Sequence, residues 1–154
     1  MLDDGSGYVA TNSERLDRID PDSGIIKSEL VMSGTLLNKA VSIDIDSRGA
    51  VWVATEGNGV FQFHGDSVKS LTTANGLMTN YAYAILADSN DDIWISHQQG
   101  ISRYNPGTDR TKVFSTSFAN GGTCNEGAIY ESPDGRIFIG TTQGVIIYDR
   151  EKDR

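Results

Sequence analysis

The feature that most constrains this chain is a unit of turn, strand, turn and strand that is written four times. In its clearest copy, residues 46–55 (DSRGAVWVAT) are closed by 59–63 (GVFQF). Residues 91–97 lead likewise into 100–104, 135–141 into 144–148, and 5–11 into 15–19. Aligned on the aromatic of the first strand, Tyr8, Trp52, Trp94 and Phe138 fall in one column, 44, 42 and 44 residues apart. A period near 43 residues is that of a four-stranded propeller blade, a unit that cannot bury its apolar faces alone. Three residues before each aromatic stand Gly5, Gly49, Asp91 and Gly135, types that accept the positive φ of a tight turn. Two residues after it stand Ala10, Ala54, Ser96 and Gly140, all small, so that a ring can fill a gap against a facing sheet.

Each blade reads as four strands, a to d. Strand a falls on 41–45, 81–86 and 128–130. Strand b carries the aromatic, and strand c follows Gly59, Gly100 or Gly144. Strand d has the weakest pattern, at 24–28, 66–71 and 111–114. Strands b are apolar on both faces, as blades stacked on both sides require, while c and d look more polar and belong to the outer rim. No sustained 3.6-residue period is present, so essentially no helix is expected. The fold class is all-β, a partial β-propeller with blade repeats at about 1–31, 32–73, 74–117 and 118–149. The first blade lacks strand a and the last ends after strand c, about three and a half blades in all. Such an arc does not close on itself. It is expected to be a piece of a longer propeller or to self-associate through its open faces.

Composition narrows the partners. A net charge of −8 excludes the basic footprint of a nucleic-acid binder. Cys124 is the single cysteine, so neither an intrachain disulfide nor a cysteine-based metal site can form. No signal-peptide pattern opens the chain, and no apolar run reaches the ~18 residues of a membrane span.

Residues 88–95 (DSNDDIWI) with 100–105 (GISRYN) resemble the two-component regulator propeller repeat, and 75–80 (NGLMTN) resembles the lead-in of that repeat. Residues 125–141 are similar to late blades of the sensor region in Bacteroidetes hybrid two-component proteins. The resemblance implies a periplasmic sensor, anchored in the membrane through a span and kinase outside this chain, with oligosaccharides as ligands. Two departures stand out. His97 replaces the threonine of positions 11, 55 and 141, and the outer repeats carry Tyr8 and Phe138 in place of tryptophan.

Chemistry is sparse. Residues 88–92 alternate oxygen side chains as a calcium loop does, but Ile93 and Gln99 stand where such a loop needs glycine and glutamate. A polar a-to-b turn explains them, as it explains 46–49 and 132–135, and no metal or other cofactor is expected. His97 and His64 are the two histidines, and each reads as a surface residue, with Cys124 a small buried thiol. A nucleophile–base pair would need a positioned hydroxyl or thiol beside one of them. Glu56, Glu126 and Glu131 are too scattered to assign a glycosidase pair.

What remains is the rim. In a propeller the b-to-c and d-to-a connections emerge on one face, which here gathers Glu56, Asn58, Asn80, Tyr81, His97, Gln98, Gln99, Asn125, Glu126 and Gln143, together with Asn38, Lys39 and Thr142. Amides both donate and accept, which suits a hydroxyl-rich ligand. The leading reading is a non-enzymatic, ligand-sensing propeller segment of a two-component receptor. The alternatives are a propeller enzyme resembling streptogramin lyases and a purely structural or protein-interaction propeller.

Overall fold

The computed structural model describes residues 5–10, 15–24, 26–31, 40–116 and 122–153. They form four antiparallel sheets in chain order. The first holds β1 (Gly7–Ala10), β2 (Arg15–Ile19) and β3 (Ile26–Val31). The second holds β4 (Ala40–Ile45), β5 (Val51–Thr55), β6 (Val60–His64) and β7 (Ser67–Leu71). The third holds β8 (Ala84–Ala87), β9 (Ile93–His97), β10 (Gly100–Asn105) and β11 (Arg110–Ser115). The fourth holds β12 (Cys124–Glu131), β13 (Ile137–Thr141) and β14 (Gly144–Tyr148). Each strand pairs with its chain neighbour, so every sheet is a simple meander. Two 3-10 turns, Thr73–Asn75 and Arg150–Lys152, are the helical segments among the described residues. Thr11, Asn38 and Lys39 lie outside them.

The turn from strand a to strand b is built around a carboxylate. Asp46 Oδ1 accepts from the amides of Arg48 and Ala50, and its Oδ2 accepts from Trp52 Nε1 at 3.0 Å. Asp88 repeats this with the amides of Asn90 and Asp92 and with Trp94 Nε1. The fourth sheet has Phe138 instead of an indole, and Ser132 instead of the acid. The aspartate is present where a buried indole N–H needs an acceptor. Gly49 and Gly135 hold φ near +79° and +78°, and Asp91 takes the same left-handed place at +59°. That conformation is costly for a side-chain residue, and Asp91 is held in it by an outside partner described below.

The core lies between sheets rather than within them. One cluster joins Val51, Val53, Phe61 and Phe63 to Tyr8 of the first sheet. A second joins Trp52, Ala54, Val60 and Leu71 to Ile85, Ile93, Ile95 and Tyr104. A third joins Trp94 and Ile101 to Cys124, Ile137, Ile139 and Tyr148. Alternation along β5 explains the split: Val51 and Val53 face back to the first sheet, Trp52 and Ala54 forward to the third. Each tryptophan meets the last aromatic of strand c in the next sheet. Trp52 lies 5.9 Å from Tyr104 and Trp94 lies 4.7 Å from Tyr148, centroid to centroid. Such ring pairs contribute roughly 0.5–1.5 kcal/mol beyond the area they bury.

Hydrogen bonds lock the same junctions. Asp91 accepts from the amide and hydroxyl of Ser47, and Glu131 accepts in the same two-pronged way from Ser89. Ser47 and Ser89 are equivalent positions of successive turns; the fourth sheet has Pro133 there, without hydroxyl or N–H. After β14 the tail folds back on the third sheet: Arg150 pairs with the buried Asp88, and Asp153 accepts from Tyr148 and Lys112.

Two details differ from expectation, and a third, the open face of the last sheet, agrees with it. Strand a of the third blade begins at Ala84, not Tyr81, because Ala82 and Tyr83 donate singly to the carbonyls of Thr55 and Ser96 and bend the chain. β6 and β10 are largely buried rather than polar, since each is covered by a blade on either side. The forward face of the fourth sheet stays open, leaving Tyr130, Val145 and Ile147 between 52% and 61% exposed.

Asp46→Ala removes the acceptor of four donors at once, the amide and guanidinium of Arg48 and, on buried residues, the Ala50 amide and the Trp52 indole. Urea denaturation is expected to show a loss of about 2–3 kcal/mol. Ser132→Ala, with no indole to satisfy, is expected to cost less than about 1 kcal/mol.

Candidate functional site

The connections after strands b and d meet on one face, as propeller geometry requires. Gly57 and Gly59 donate to the Asn80 carbonyl, Glu56 bridges to Tyr81, Cys124 donates to the Gln98 carbonyl, and Thr142 to that of Thr123. Between these connections opens a pocket of about 290 Å³, lined by Val41, Glu56, Thr79, Tyr81, Ala82, Tyr83, Gln98 and Glu126. Its walls come from three successive blades. The lining combines two tyrosines, an amide, a hydroxyl and two carboxylates with the apolar Val41 and Ala82. Tyr81 is 55% exposed, so its ring is available to a ligand.

Of the rim residues named from the sequence, Glu56, Tyr81, Gln98 and Glu126 line this pocket. Gln99 and Gln143 are exposed on the same connections but outside the lining, the Gln143 amide tied to Thr141 Oγ1, while Asn125 is exposed outside the lining and, like Glu126, lies within β12 rather than on the connection before it. Asn58 donates its amide to Thr55 Oγ1. Asn80 works as a brace: its side chain accepts from the Thr73 amide and its carbonyl takes both glycine amides. Thr79 and Tyr83 are lining residues that the rim reading missed, Tyr83 because residues 81–86 read as one strand and Thr79 because 75–80 read as the lead-in of the repeat. The alternation Tyr-Ala-Tyr, which puts Tyr81 and Tyr83 on one side, was the available signal.

His97 is not a surface residue. It is 0% exposed, and both ring nitrogens are engaged. Nδ1 lies 2.8 Å from the Tyr81 carbonyl, which can only accept, so Nδ1 carries the proton. Nε2, 2.8 Å from Ser102 Oγ, therefore accepts from that hydroxyl. Ser102 Oγ in turn accepts from the Met78 amide at 3.0 Å. In the neighbouring blades Thr55 and Thr141 bond instead to Gly59 and Gly144 of their own hairpins. Ser102 supplies the hydroxyl beside a histidine that a nucleophile–base pair needs, but it too is 0% exposed and closed to any substrate. The pair was invisible in sequence because it spans the β9–β10 hairpin.

Cys124 is buried as expected, its thiol directed at the Gly100 carbonyl. Burial pushes that thiol up, the opposite of an activated nucleophile. The turn at 88–92 spends its oxygens on protein donors, and no metal-holding cluster occurs among the described residues. His64 ends β6 on the opposite rim, exposed.

Residues 76–99 match the family model described as two component regulator propeller, a stretch that holds Asn80, Tyr81, His97 and the Asp88 turn. No curated protein matches. Two similar solved structures are extracellular domains of hybrid two component systems from B. thetaiotaomicron. One has 20% identity and a TM-score of 0.72 over 92% of this chain and 21% of that one. The other has 18% identity and a TM-score of 0.57 over 99% of this chain and 27% of that one. Virginiamycin B lyase from Staphylococcus aureus is similar at 16% identity and a TM-score of 0.69, over 97% of this chain and 53% of that one. The likeness is one of fold, a partial propeller, and the chain spans about a quarter of the two extracellular domains.

Burial holds the His97 imidazole below its ordinary value of 6.5, opposed only by the Tyr81 carbonyl. Below that value an unfolded chain binds a proton that the folded one resists, so stability rises with pH through this window and falls as pH drops below about 6.5. Thermal unfolding from about pH 8 to about pH 5 is expected to show this fall, and His97→Asn to flatten the part due to the imidazole.

Proposed function

We propose that this chain is part of a non-enzymatic sensor propeller in a two-component signalling receptor, held in the periplasm, and that it takes up an oligosaccharide in the pocket beside Tyr81. The observation that carries the reading is the composition of that pocket. The exposed Tyr81 ring suits stacking on the C–H side of a sugar ring, while Gln98, Thr79, Glu56 and Glu126 offer donors and acceptors to its hydroxyls. The family match over residues 76–99 and the likeness to hybrid two component extracellular domains support the signalling role. Because three blades contribute to one pocket, a ligand that prefers one inter-blade arrangement would shift the population of that arrangement. The membrane anchor and the responding kinase belong to the longer receptor.

Titration calorimetry with neutral malto-, xylo- and chito-oligosaccharides tests the reading. At least one series is expected to bind, and Tyr81→Ala to weaken it by about tenfold or more, roughly 1.4 kcal/mol. No binding by any series, or equal binding by Tyr81→Ala, would count against it. In the first case the interaction-propeller alternative gains; in the second the sugar binds elsewhere than beside Tyr81.

The likeness to virginiamycin B lyase favours a second reading, an enzyme on the same scaffold. His97 offers no free nitrogen to the pocket, so catalysis would fall to the carboxylates of Glu56 and Glu126. Turnover of a streptogramin B lost in the Glu56→Gln or Glu126→Gln chain would support it.

The open face of the fourth sheet carries a further part of the proposal, self-association. Tyr130, Val145 and Ile147 lie on the side that β5 and β9 cover with a following blade. Light scattering of the chain is expected to show mass rising with concentration, and Ile147→Asp to suppress the rise. A constant monomer mass at high concentration would exclude it.

A further inference from the structure

We propose that His97 is the positioning residue of the pocket, and that its protonation releases the 78–83 connection which forms one wall. The inference rests on the pocket described above and concerns its regulation.

Thr79, Tyr81, Ala82 and Tyr83 supply half of the lining from one five-residue stretch. That stretch is not part of a strand; Tyr81 makes only an isolated bridge to Glu56. Its place is set by separate ties. Tyr81 N–H turns inward to Thr79 Oγ1, Ala82 N–H goes to the Thr55 carbonyl and Tyr83 N–H to that of Ser96. The two side-chain ties to the interior of the third blade are the Met78 amide on Ser102 and the Tyr81 carbonyl on His97. These two meet at the His97–Ser102 hydrogen bond. One buried pair therefore grips the connection at both ends.

The pair is also a coordinated exception to the repeat. Blades two and four carry Thr55 with Phe61 and Thr141 with Ile146 at these positions, a hydroxyl that caps its own hairpin and an apolar side chain. The third blade has His97 with Ser102. Two polar groups at 0% exposure replace an arrangement that works in both neighbours. A local rule broken twice in concert marks a place where something other than packing is served.

Protonation leaves the Nδ1–H bond to the Tyr81 carbonyl in place and acts at Nε2, on the Ser102 side of the pair. An imidazolium donates from Nε2, so Ser102 can no longer give its proton there, while its oxygen still receives the Met78 amide. The hydroxyl proton is then left without an acceptor in a buried site, next to a buried charge. The titratable groups on the surrounding elements are Tyr81 and Tyr83 on the connection, Glu56 after β5, Cys124 and Glu126 on β12, and Arg103 on β10. Arg103 is turned to Trp94, Phe114 and Tyr148. None of them is a hydrogen-bonded counter-charge to the ring, whose two partners are neutral. The cheapest relief is for the connection to lift and admit water.

Amide hydrogen exchange on the chain, corrected for the intrinsic pH effect, reads this without any ligand. From about pH 8 to about pH 5, exchange at Met78, Ala82 and Tyr83 is expected to accelerate about tenfold or more, while Val53 and Ile95 in the core strands stay protected. His97→Asn, whose side-chain amide can donate to the Tyr81 carbonyl but does not titrate, is expected to keep protection at every pH. His97→Thr, the residue of the neighbouring blades, is expected to exchange fast and independently of pH. Unchanged protection of the connection in the parent chain at low pH, or a His97→Asn chain that follows the parent's pH dependence, overturns the proposal. Because no sugar is involved, these outcomes stand apart from the oligosaccharide titrations.

Discussion

A meander of three or four strands has two faces and no interior, and that single fact governs this molecule. The second and third sheets bury the tryptophan of their second strand only because the next sheet covers it. Trp52 under Tyr104 and Trp94 under Tyr148 are the contacts through which that condition is met. The small residue two positions after each tryptophan, Ala54 or Ser96, lets the neighbouring sheet come close enough to meet the ring. Burial of this kind supplies the main driving force, so the cores belong to pairs of blades and not to blades.

Polar contacts then fix the spacing and register of the pairs. The indole N–H cannot be buried unpartnered, so Asp46 and Asp88 are drawn into the turn beneath it and cap the turn at the same time. The serine that follows each aspartate is clamped by a carboxylate of the next blade, from Asp91 in one case and Glu131 in the other. The carboxylates come from different places in the repeat, yet the serine is the same. The receptor position is what the repeat conserves within this chain, and the donor of the charge is free to differ. Asp91 tolerates its left-handed backbone because both of its oxygens are occupied by Ser47, which also holds its carboxyl below the usual range.

The architecture was legible because it depends on periodic features: the aromatic column, the turn glycines and the alternation of strands. The pocket was legible only in part. Loop placement follows from topology, which is why Glu56, Tyr81, Gln98 and Glu126 could be gathered on one face before any coordinates. Which of them turn toward a common cavity depends on bends such as that at residues 81–83, which arise from single long-range hydrogen bonds and leave no period in the sequence. His97 is the clearest failure. A histidine at a strand end, replacing a hydroxyl residue, reads as a surface variation. Its burial is decided by Ser102 and the Tyr81 carbonyl, and nothing in the residue itself announces them. Arg150 is similar: a basic residue in a charged tail, whose partner Asp88 stands 62 positions earlier.

That last contact bears on how the chain is made. During synthesis the third blade emerges with Trp94 uncovered and the buried carboxylate of Asp88 lacking its guanidinium. Both are completed by residues from 148 to 150, more than 30 positions beyond the end of β11. N-terminal parts of a growing chain fold first, but here no blade is finished when its own last strand has left the ribosome. Completion of the second and third blades therefore trails their own translation by one repeat, each finished by residues of the blade after it.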